Sequence, residues 1–316
     1  ELPDSTRKRH ENPLTASSLN SRFHIHHTLD GSLMTNLRIG IPSKGRLSDL
    51  ASDLLKEAGL SFRRQNRSLF ARVKDKPIDI IFLRTDDIPV LCAEGAIDMG
   101  ITGSDLVLES EVDVETRMEL GVGKCRLAFC VPEDSPAKTV EELDGKRIAT
   151  TFPKITSAYL KEKGADAHMV WLSGSVEIMI SLGVADAIVD LVETGSTLAA
   201  NRLRIIDEIG HYQTVLIQGS GCRDKQLADR IVRRIEGVII ARSYSLLEYN
   251  VPRAKLPEAE AITPGYNSPT VNALEDESWC SVRVMVKRSD VIEAMEKLEA
   301  LGASAVLETQ INNCRL

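Results

Sequence analysis

The chain of 316 residues carries 39 Lys and Arg against 46 Asp and Glu, a formal charge of −7. With 43% hydrophobic and 27% charged residues it has the make-up of globular domains, which excludes whole-chain disorder, and its length suggests two or three of them. Mild acidity argues against non-specific nucleic-acid binding, and no apolar run reaches the ~18–20 residues of a membrane helix, so neither partner is expected.

Residues 1–36 are polar and unpatterned, and read as a disordered or extra tail. They lack the apolar core of a secretory signal and are too acidic for a transit peptide. Their His24-Ile25-His26-His27 tract has imidazoles but no carboxylate or thiolate partner, a weak metal site at best. Six cysteines (Cys92, Cys125, Cys130, Cys222, Cys280, Cys314) are scattered without a CxxC pair. No disulfide framework is indicated, and a cytoplasmic protein is expected.

From Leu37 short apolar runs alternate with amphipathic stretches. Leu37–Ile41, Ile78–Leu83 and Met99–Thr102 read as strands, followed by helices over Leu47–Ala58, Asp87–Glu94 and Asp105–Glu109. This is βαβ rhythm, the mark of a largely parallel sheet covered by helices. It restarts beyond Val131–Pro136, with strands over Arg147–Thr150, Val170–Leu172 and Ala187–Val192 and helices over Ser157–Lys163 and Ser175–Leu182. Two such units in tandem suggest two lobes with a ligand cleft between them. After Gly237 the pattern changes again: Val238–Ala241, Val282–Val286 and Ala305–Glu308 read as strands and Asp290–Leu301 as a helix, a separate α+β module.

The richest chemical element is the run from Gly183 to Thr197. An apolar strand bracketed by Asp186, Asp190 and Glu193 ends in Thr194-Gly195-Ser196-Thr197, and the next residues suit a helix. Amides and hydroxyls at such a turn can cradle a phosphate, Gly195 permits close approach, and the acids can hold sugar hydroxyls or water-bridged Mg²⁺. An ordinary capped helix start would use the same Ser and Thr. Ser43-Lys44-Gly45-Arg46, directly after the first strand, sets two cations around a glycine, fit for an anion or for a solvated turn. Arg84 again follows a strand, with Asp86 or Asp87 available to cap the next helix. Gly121-Val-Gly-Lys124 lacks the first glycine and the hydroxyl of a Walker A loop, and no HExxH or Ser-His-Asp order is present.

In this order, Pro42-Ser-Lys-Gly-Arg-Leu, Asp86-Asp-Ile-Pro, Gly100-Ile-Thr-Gly, Gly174-Ser-Val-Glu and Asp186-Ala-Ile-Val-Asp-Leu-Val-Glu-Thr-Gly-Ser-Thr resemble the ATP phosphoribosyltransferases, which open histidine biosynthesis. Ile262-Thr-Pro-Gly, Ser268-Pro-Thr and the terminal Asn313-Cys-Arg-Leu are similar to the long form of that family. The resemblance implies an α/β two-lobe catalytic core like the type II periplasmic binding proteins, followed by an ACT-like regulatory domain. Lobe I would take 37–125 and 212–236, lobe II 126–211, and the regulatory domain 237–316. It implies transfer of phosphoribosyl from 5-phosphoribosyl 1-diphosphate (PRPP) to N1 of ATP, with Mg²⁺ accompanying the substrates. PRPP would be held by Asp186, Asp190, Glu193, Thr194, Gly195, Ser196 and Thr197, and ATP or diphosphate by Lys44, Gly45, Arg46 and Arg84. Asp186, Asp190, Arg46 and Arg84 are the expected catalytic groups. Histidine is expected as feedback inhibitor at Asn250, Tyr266, Thr270 and Ala305, and dimers are expected to build a homo-hexamer. The family pattern has an aspartate at Asn250. A two-lobe binding protein or a non-catalytic sensor is the competing reading, since a fold does not fix a function.

Overall fold

The computed structural model describes residues 36–65 and 68–315, and the tail with its histidine tract lies outside the described residues. Asn36–Leu316 forms one compact unit. In chain order it contains β1 (Leu37–Pro42), α1 (Arg46–Glu57), β2 (Phe70–Arg72), β3 (Ile78–Leu83), α2 (Asp87–Ala93), β4 (Met99–Gly103), α3 (Ser104–Ser110) and β5 (Glu115–Glu119). The chain then crosses into β6 (Cys125–Pro132), β7 (Arg147–Thr150), α4 (Pro153–Glu162), β8 (His168–Trp171), α5 (Ile178–Ser181), β9 (Ala187–Val192), α6 (Ser196–Ala200) and β10 (Leu203–Tyr212). It returns as β11 (Thr214–Gln218) and α7 (Lys225–Ser243), and ends in β12 (Tyr244–Pro252), α8 (Leu256–Ile262), β13 (Thr270–Ala273), β14 (Trp279–Lys287), α9 (Val291–Leu301) and β15 (Ser304–Gln310).

Lobe I is a six-stranded sheet in the order β2-β3-β1-β4-β11-β5, in which β3, β1 and β4 run parallel and β11 returns antiparallel. Leu37, Ile39 and Ile41 of β1 and Ile78 and Ile80 of β3 are fully buried, as expected where helices cover both faces. α1 docks through Ser48, Ala51, Leu54 and Leu55, the i, i+3, i+4 stripe of an amphipathic helix. The buried Asp98, just before β4, accepts from the Arg38 amide and from the Arg223 amide and guanidinium at 2.7–2.8 Å. A buried carboxylate is tolerable because its oxygens are so satisfied. Asn36, assigned above to the tail, is buried and donates to Asp79 at 3.2 Å, so it belongs to lobe I.

Lobe II is a five-stranded sheet in the order β10-β6-β9-β7-β8, with β7, β8 and β9 parallel. Both lobes are thus α/β sheets with antiparallel strands beside the parallel set, β2 and β11 in lobe I and β6 in lobe II, the two-lobe fold expected. The helix read over Ser175–Leu182 shrinks to α5, because Ser175 takes φ 52 and starts a turn.

The C-terminal domain is a four-stranded antiparallel sheet, β13-β14-β12-β15. Residues of β12 alternate buried and half-buried along the strand, so one face packs on α8 and α9 while the other stays open. One expectation is overturned here. Val238–Ala241 is not a strand but the last part of α7, whose Ile231, Ile235 and Val238 are buried in the lobe I core. A run of four apolar residues reads as strand or helix alike, and only the i, i+4, i+7 match to lobe I decides. The module therefore begins near Tyr244, and Gly237 lies inside a helix.

Gly237 has a packing reason to be there. The C-terminal tail folds back on α7, the Cys314 amide donates to the Gly237 carbonyl at 3.1 Å, and a Cβ at 237 would overlap the Cys314 carbonyl and the Arg315 guanidinium. Gly237→Ala gains about 1 kcal/mol of helix propensity and loses about 1–3 kcal/mol to overpacking unless the tail leaves. Tail release is the cheaper outcome. Faster alkylation of Cys314, with a melting temperature unchanged within a few degrees, is therefore expected, read by peptide mass after thiol labelling.

Candidate active site

The carboxyl ends of the parallel strands of both lobes face each other across a cleft of about 820 Å³. From lobe I it is lined by Ser43, Lys44, Arg84 and Asp86, and from lobe II by Thr151, Lys154, Trp171 and Ser173. Such strand ends are where open α/β sheets bind ligands, because the turns there carry free backbone groups and helix N-termini. A smaller hollow of about 590 Å³ lies at the hinge, with Lys124, Arg126 and His211 around Val192 and Glu193.

The Glu193–Thr197 turn takes the expected shape. Gly195 adopts φ 80 at the start of α6, a conformation that costs other residues because of their Cβ. Thr194 and Ser196 hydroxyls lie 3.1 Å apart, and Ser196 and Thr197 are exposed at the helix start. The turn thus presents hydroxyls and first-turn amides to solvent. Asp190, two residues before the end of β9, is half-buried and accepts from the Leu191 amide at 2.8 Å. Burial, and then the nearby Glu177, raise its pKa above the ordinary carboxylate value.

On lobe I, Gly45 takes φ 82 at the start of α1, so each lobe ends a parallel strand in a glycine-headed helix. The two turns touch: Arg46 donates to Glu193 at 3.2 Å. With side chains 78% and 54% exposed, this pair is worth at most about 1 kcal/mol, so a polyanion can readily take Arg46 for itself. Arg84 and Lys44 are exposed in the cleft, Arg84 lying 3.9 Å from Asp86. Neither Asp86 nor Asp87 caps α2 with its side chain.

A stronger bridge between the lobes escaped the sequence reading. Glu109 of α3 accepts from the amides of Lys154 and Ile155 at 2.9 and 3.0 Å, capping α4 of the opposite lobe. Lys154 in turn reaches Glu111 at 2.9 Å. A carboxylate on the positive end of a helix is stabilising, and here it fixes the separation of the two lobes. No local pattern marks a cap that lies 45 residues from its helix.

Asp186 is not brought to the cleft. It precedes β9 at the opposite end of the strand, where Arg147 donates to both its oxygens at 3.1 and 2.9 Å and the Arg147 amide adds a third bond. Burial pushes the Cys92 and Cys130 thiols up to about 12, and burial with Asp105 and Glu193 pushes Cys125, which lines the hinge hollow, to about 11. All six cysteines are unpaired.

In the C-terminal domain, Asn250 and Thr270 fall on the open face of the sheet: Asn250 pairs with Ser281 and Ser304, and Thr270 with Arg283 one row away. Ala305 takes φ 50 beside the bulge in the β12–β15 pairing, and Tyr266 stands edge-on to Tyr244 with ring centres 6.2 Å apart. Tyr266 thus lies outside the strands that carry the other three.

Fold and cleft together define a two-lobe α/β protein in which a hydroxyl-rich turn of one lobe meets a cationic turn of the other, with an α+β module appended. The family model described as ATP phosphoribosyltransferase matches residues 84–237, and that of its C-terminal domain matches residues 241–313. An ATP phosphoribosyltransferase of Rhodopirellula baltica is 68% identical over 280 residues, 89% of this chain and 94% of that one. One of Pseudarthrobacter chlorophenolicus is 42% identical over 284 residues, 89% of this chain and all of the relative. Among solved structures, the ATP phosphoribosyl transferase (HisG:HisZ) complex from Thermotoga maritima aligns with TM-score 0.55 at 32% identity, over 63% of this chain and 98% of that one. The chain belongs to the ATP phosphoribosyltransferase family.

The Arg147 contacts hold the Asp186 carboxyl at a pKa of about 2 against an ordinary 3.8. A depressed pKa stabilises the fold fully above the ordinary value, and the gain is lost as pH falls through the native one. The urea midpoint of Asp186→Asn should therefore lie below the parent's at neutral pH and converge with it as pH falls from 3.8 toward 2. A gap independent of pH over that window would show that the ion pair contributes nothing.

Proposed function

We propose that the protein transfers the 5-phosphoribosyl group of PRPP to N1 of ATP, releasing diphosphate and giving phosphoribosyl-ATP, the opening step of histidine biosynthesis. The observation that carries this reading is the contact of Arg46 with Glu193, which directly precedes the Thr194–Thr197 turn, next to an interlobe cleft lined by Lys44 and Arg84, in a chain of this family. The 5-phosphate of PRPP would lie on the turn, its charge matched by the first-turn amides and hydroxyls. Asp190 and Glu193 would accept from the ribose hydroxyls. Arg46, released from Glu193, and Arg84 and Lys44 would bind the diphosphate and triphosphate groups.

The chemistry asks little of the side chains beyond placement. Adenine N1 attacks the anomeric carbon as the C1–O bond to diphosphate breaks, and the bonding pair leaves with diphosphate. Positive charge grows on the ribosyl ring and negative charge on the leaving group, so carboxylates on one side and cations on the other stabilise the transition state. Mg²⁺ would neutralise diphosphate charge as it develops. Among the described residues no three ligating side chains converge, so phosphate oxygens and water would fill most of its shell, with Asp190 and Glu193 the carboxylates beside the turn.

A cytoplasmic location is part of this reading, and no helix among the described residues is long and apolar enough to cross a membrane. The C-terminal domain would bind histidine on its open sheet face, with Asn250 and Thr270 as polar partners and Ala305 beside them, while Tyr266 belongs to the edge near Tyr244. The same open face and the exposed Leu307 suit pairing of copies into dimers and hexamers.

Incubation with ATP, PRPP and Mg²⁺ should give phosphoribosyl-ATP by mass spectrometry, and its absence would overturn the reading. Thr197→Val should raise the PRPP KM about ten- to a hundredfold, since a hydrogen bond to a charged group is worth about 1.5–3 kcal/mol. An unchanged PRPP dependence would remove the turn from the site. Thr270→Val should weaken inhibition by histidine about tenfold at unchanged turnover by the same reasoning, measured as the inhibition constant.

A further inference from the structure

Trp171 closes β8 with 72% of its surface exposed, more than any other large hydrophobic side chain among the described residues. It does not lie on an outer wall. It lines the interlobe cleft with Phe152 and Val90, where Lys44, Arg84 and Lys154 also gather. A cleft that combines an open indole and apolar walls with several cations suits a ligand with a flat aromatic ring and multiple negative charges. A purine nucleotide has that composition, and an aromatic side chain open on one face is the common platform for a base.

Sheet register places the platform. Trp171 pairs with Thr150 on β7, and Thr150 pairs with Val189 on β9. Two strand spacings across and four residues along β9 put the backbone of Trp171 about 16 Å from the start of the phosphate turn. The phosphosugar end of the cleft and the indole are therefore separated by the span that one base joined to a ribose 5-phosphate must bridge. A single ligand phosphate on the turn cannot also cover Trp171.

We propose that Trp171 is the stacking platform for the adenine of ATP, holding the ring so that one edge faces the sugar carbon beside the Thr194–Thr197 turn. The identity of the nucleotide rests on the phosphoribosyl-transfer reading. Stacking is tolerant of base identity because every base has a π-face, so this residue sets the plane and position of the ring and leaves its edges to other groups. Trp171 is on lobe II, whereas Arg84 and Lys44 are on lobe I. ATP would thus bridge the lobes, its base on one and its phosphates on the other.

The chain has two tryptophans, and Trp279 lies in β14 of the C-terminal domain, so Trp279→Phe leaves Trp171 as sole indole reporter. Excited at the red edge of indole absorption, this variant should lose fluorescence on titration with ATP but not with inorganic triphosphate. Trp171→Ala should raise the KM for ATP about tenfold or more with the KM for PRPP unchanged, and Trp171→Phe, which keeps a smaller ring, should recover part of the loss. Because Trp171 is exposed, neither change threatens the core. Unchanged ATP kinetics in the alanine variant, or equal quenching by triphosphate, would overturn the platform while leaving a product-forming parent enzyme intact. A parent that makes no phosphoribosyl-ATP, yet shows quenching by ATP alone, would overturn the reaction and retain the platform.

Discussion

Everything in the cleft depends on two strands that cross between the lobes side by side. The Leu120 amide donates to Thr214 and the Thr214 amide to Val122 at 2.9 and 3.0 Å, and the ladder continues as Cys125 pairs with Tyr212. The crossings are thus one antiparallel ribbon and not two loose linkers. Gly123 takes φ 63 within it, and a Cβ there would come within 2.6 Å of the Thr214 hydroxyl, so the close approach needs glycine. The ribbon turns the carboxyl edges of the two parallel sheets toward each other. Bridges too weak to assemble the lobes alone, Glu109 on α4 and Arg46 with Glu193, then suffice to fix their separation.

The electrostatics of the cleft follow from that geometry and not from net charge. The chain is acidic at −7, yet Lys44, Arg46, Arg84 and Lys154 converge because they stand at strand ends on facing edges. Asp190, within β9 of lobe II, is half-buried, and that burial makes its charge expensive. The residues with the strongest fixed charge pairing, Asp186 with Arg147 and Asp98 with Arg223, stand away from the turn and hold strands in position. Sites that must exchange partners keep theirs exposed and weak. Sites that must not are buried or bidentate.

The C-terminal domain is joined to the catalytic core by more than a linker. α7 buries Ile231, Ile235 and Val238 in lobe I, its Arg242 pairs with Glu57 of α1 at 2.9 Å, and its Gly237 receives the chain terminus. A ligand that shifts β12 acts on a helix that runs directly into that strand and is buried in the lobe I core. Packed cores move as bodies, so this helix is the physical route by which a coupling of about 1–3 kcal/mol between distant sites can arise.

The sequence by itself determined what is local. Strands with runs such as Ala187–Val192, amphipathic helices such as α1, and turns whose glycines need positive φ at 45 and 195 are written in residues a few positions apart, because pleat, helical period and Cβ sterics act over that range. The Thr194–Thr197 turn and both cationic turns were legible for the same reason. What the fold alone decided is which end of a strand faces the ligand and which distant groups meet. Asp186 and Asp190 look equivalent along the chain, but one stands before β9 paired with Arg147 and the other lies within the strand, half-buried. Val238–Ala241 carries a pattern shared by strand and helix, and its burial against lobe I settles it as helix. Glu109 capping α4, and Trp171 left open at a strand end, depend on where the hinge ribbon sets the second lobe, a long-range packing result with no signature in neighbouring residues.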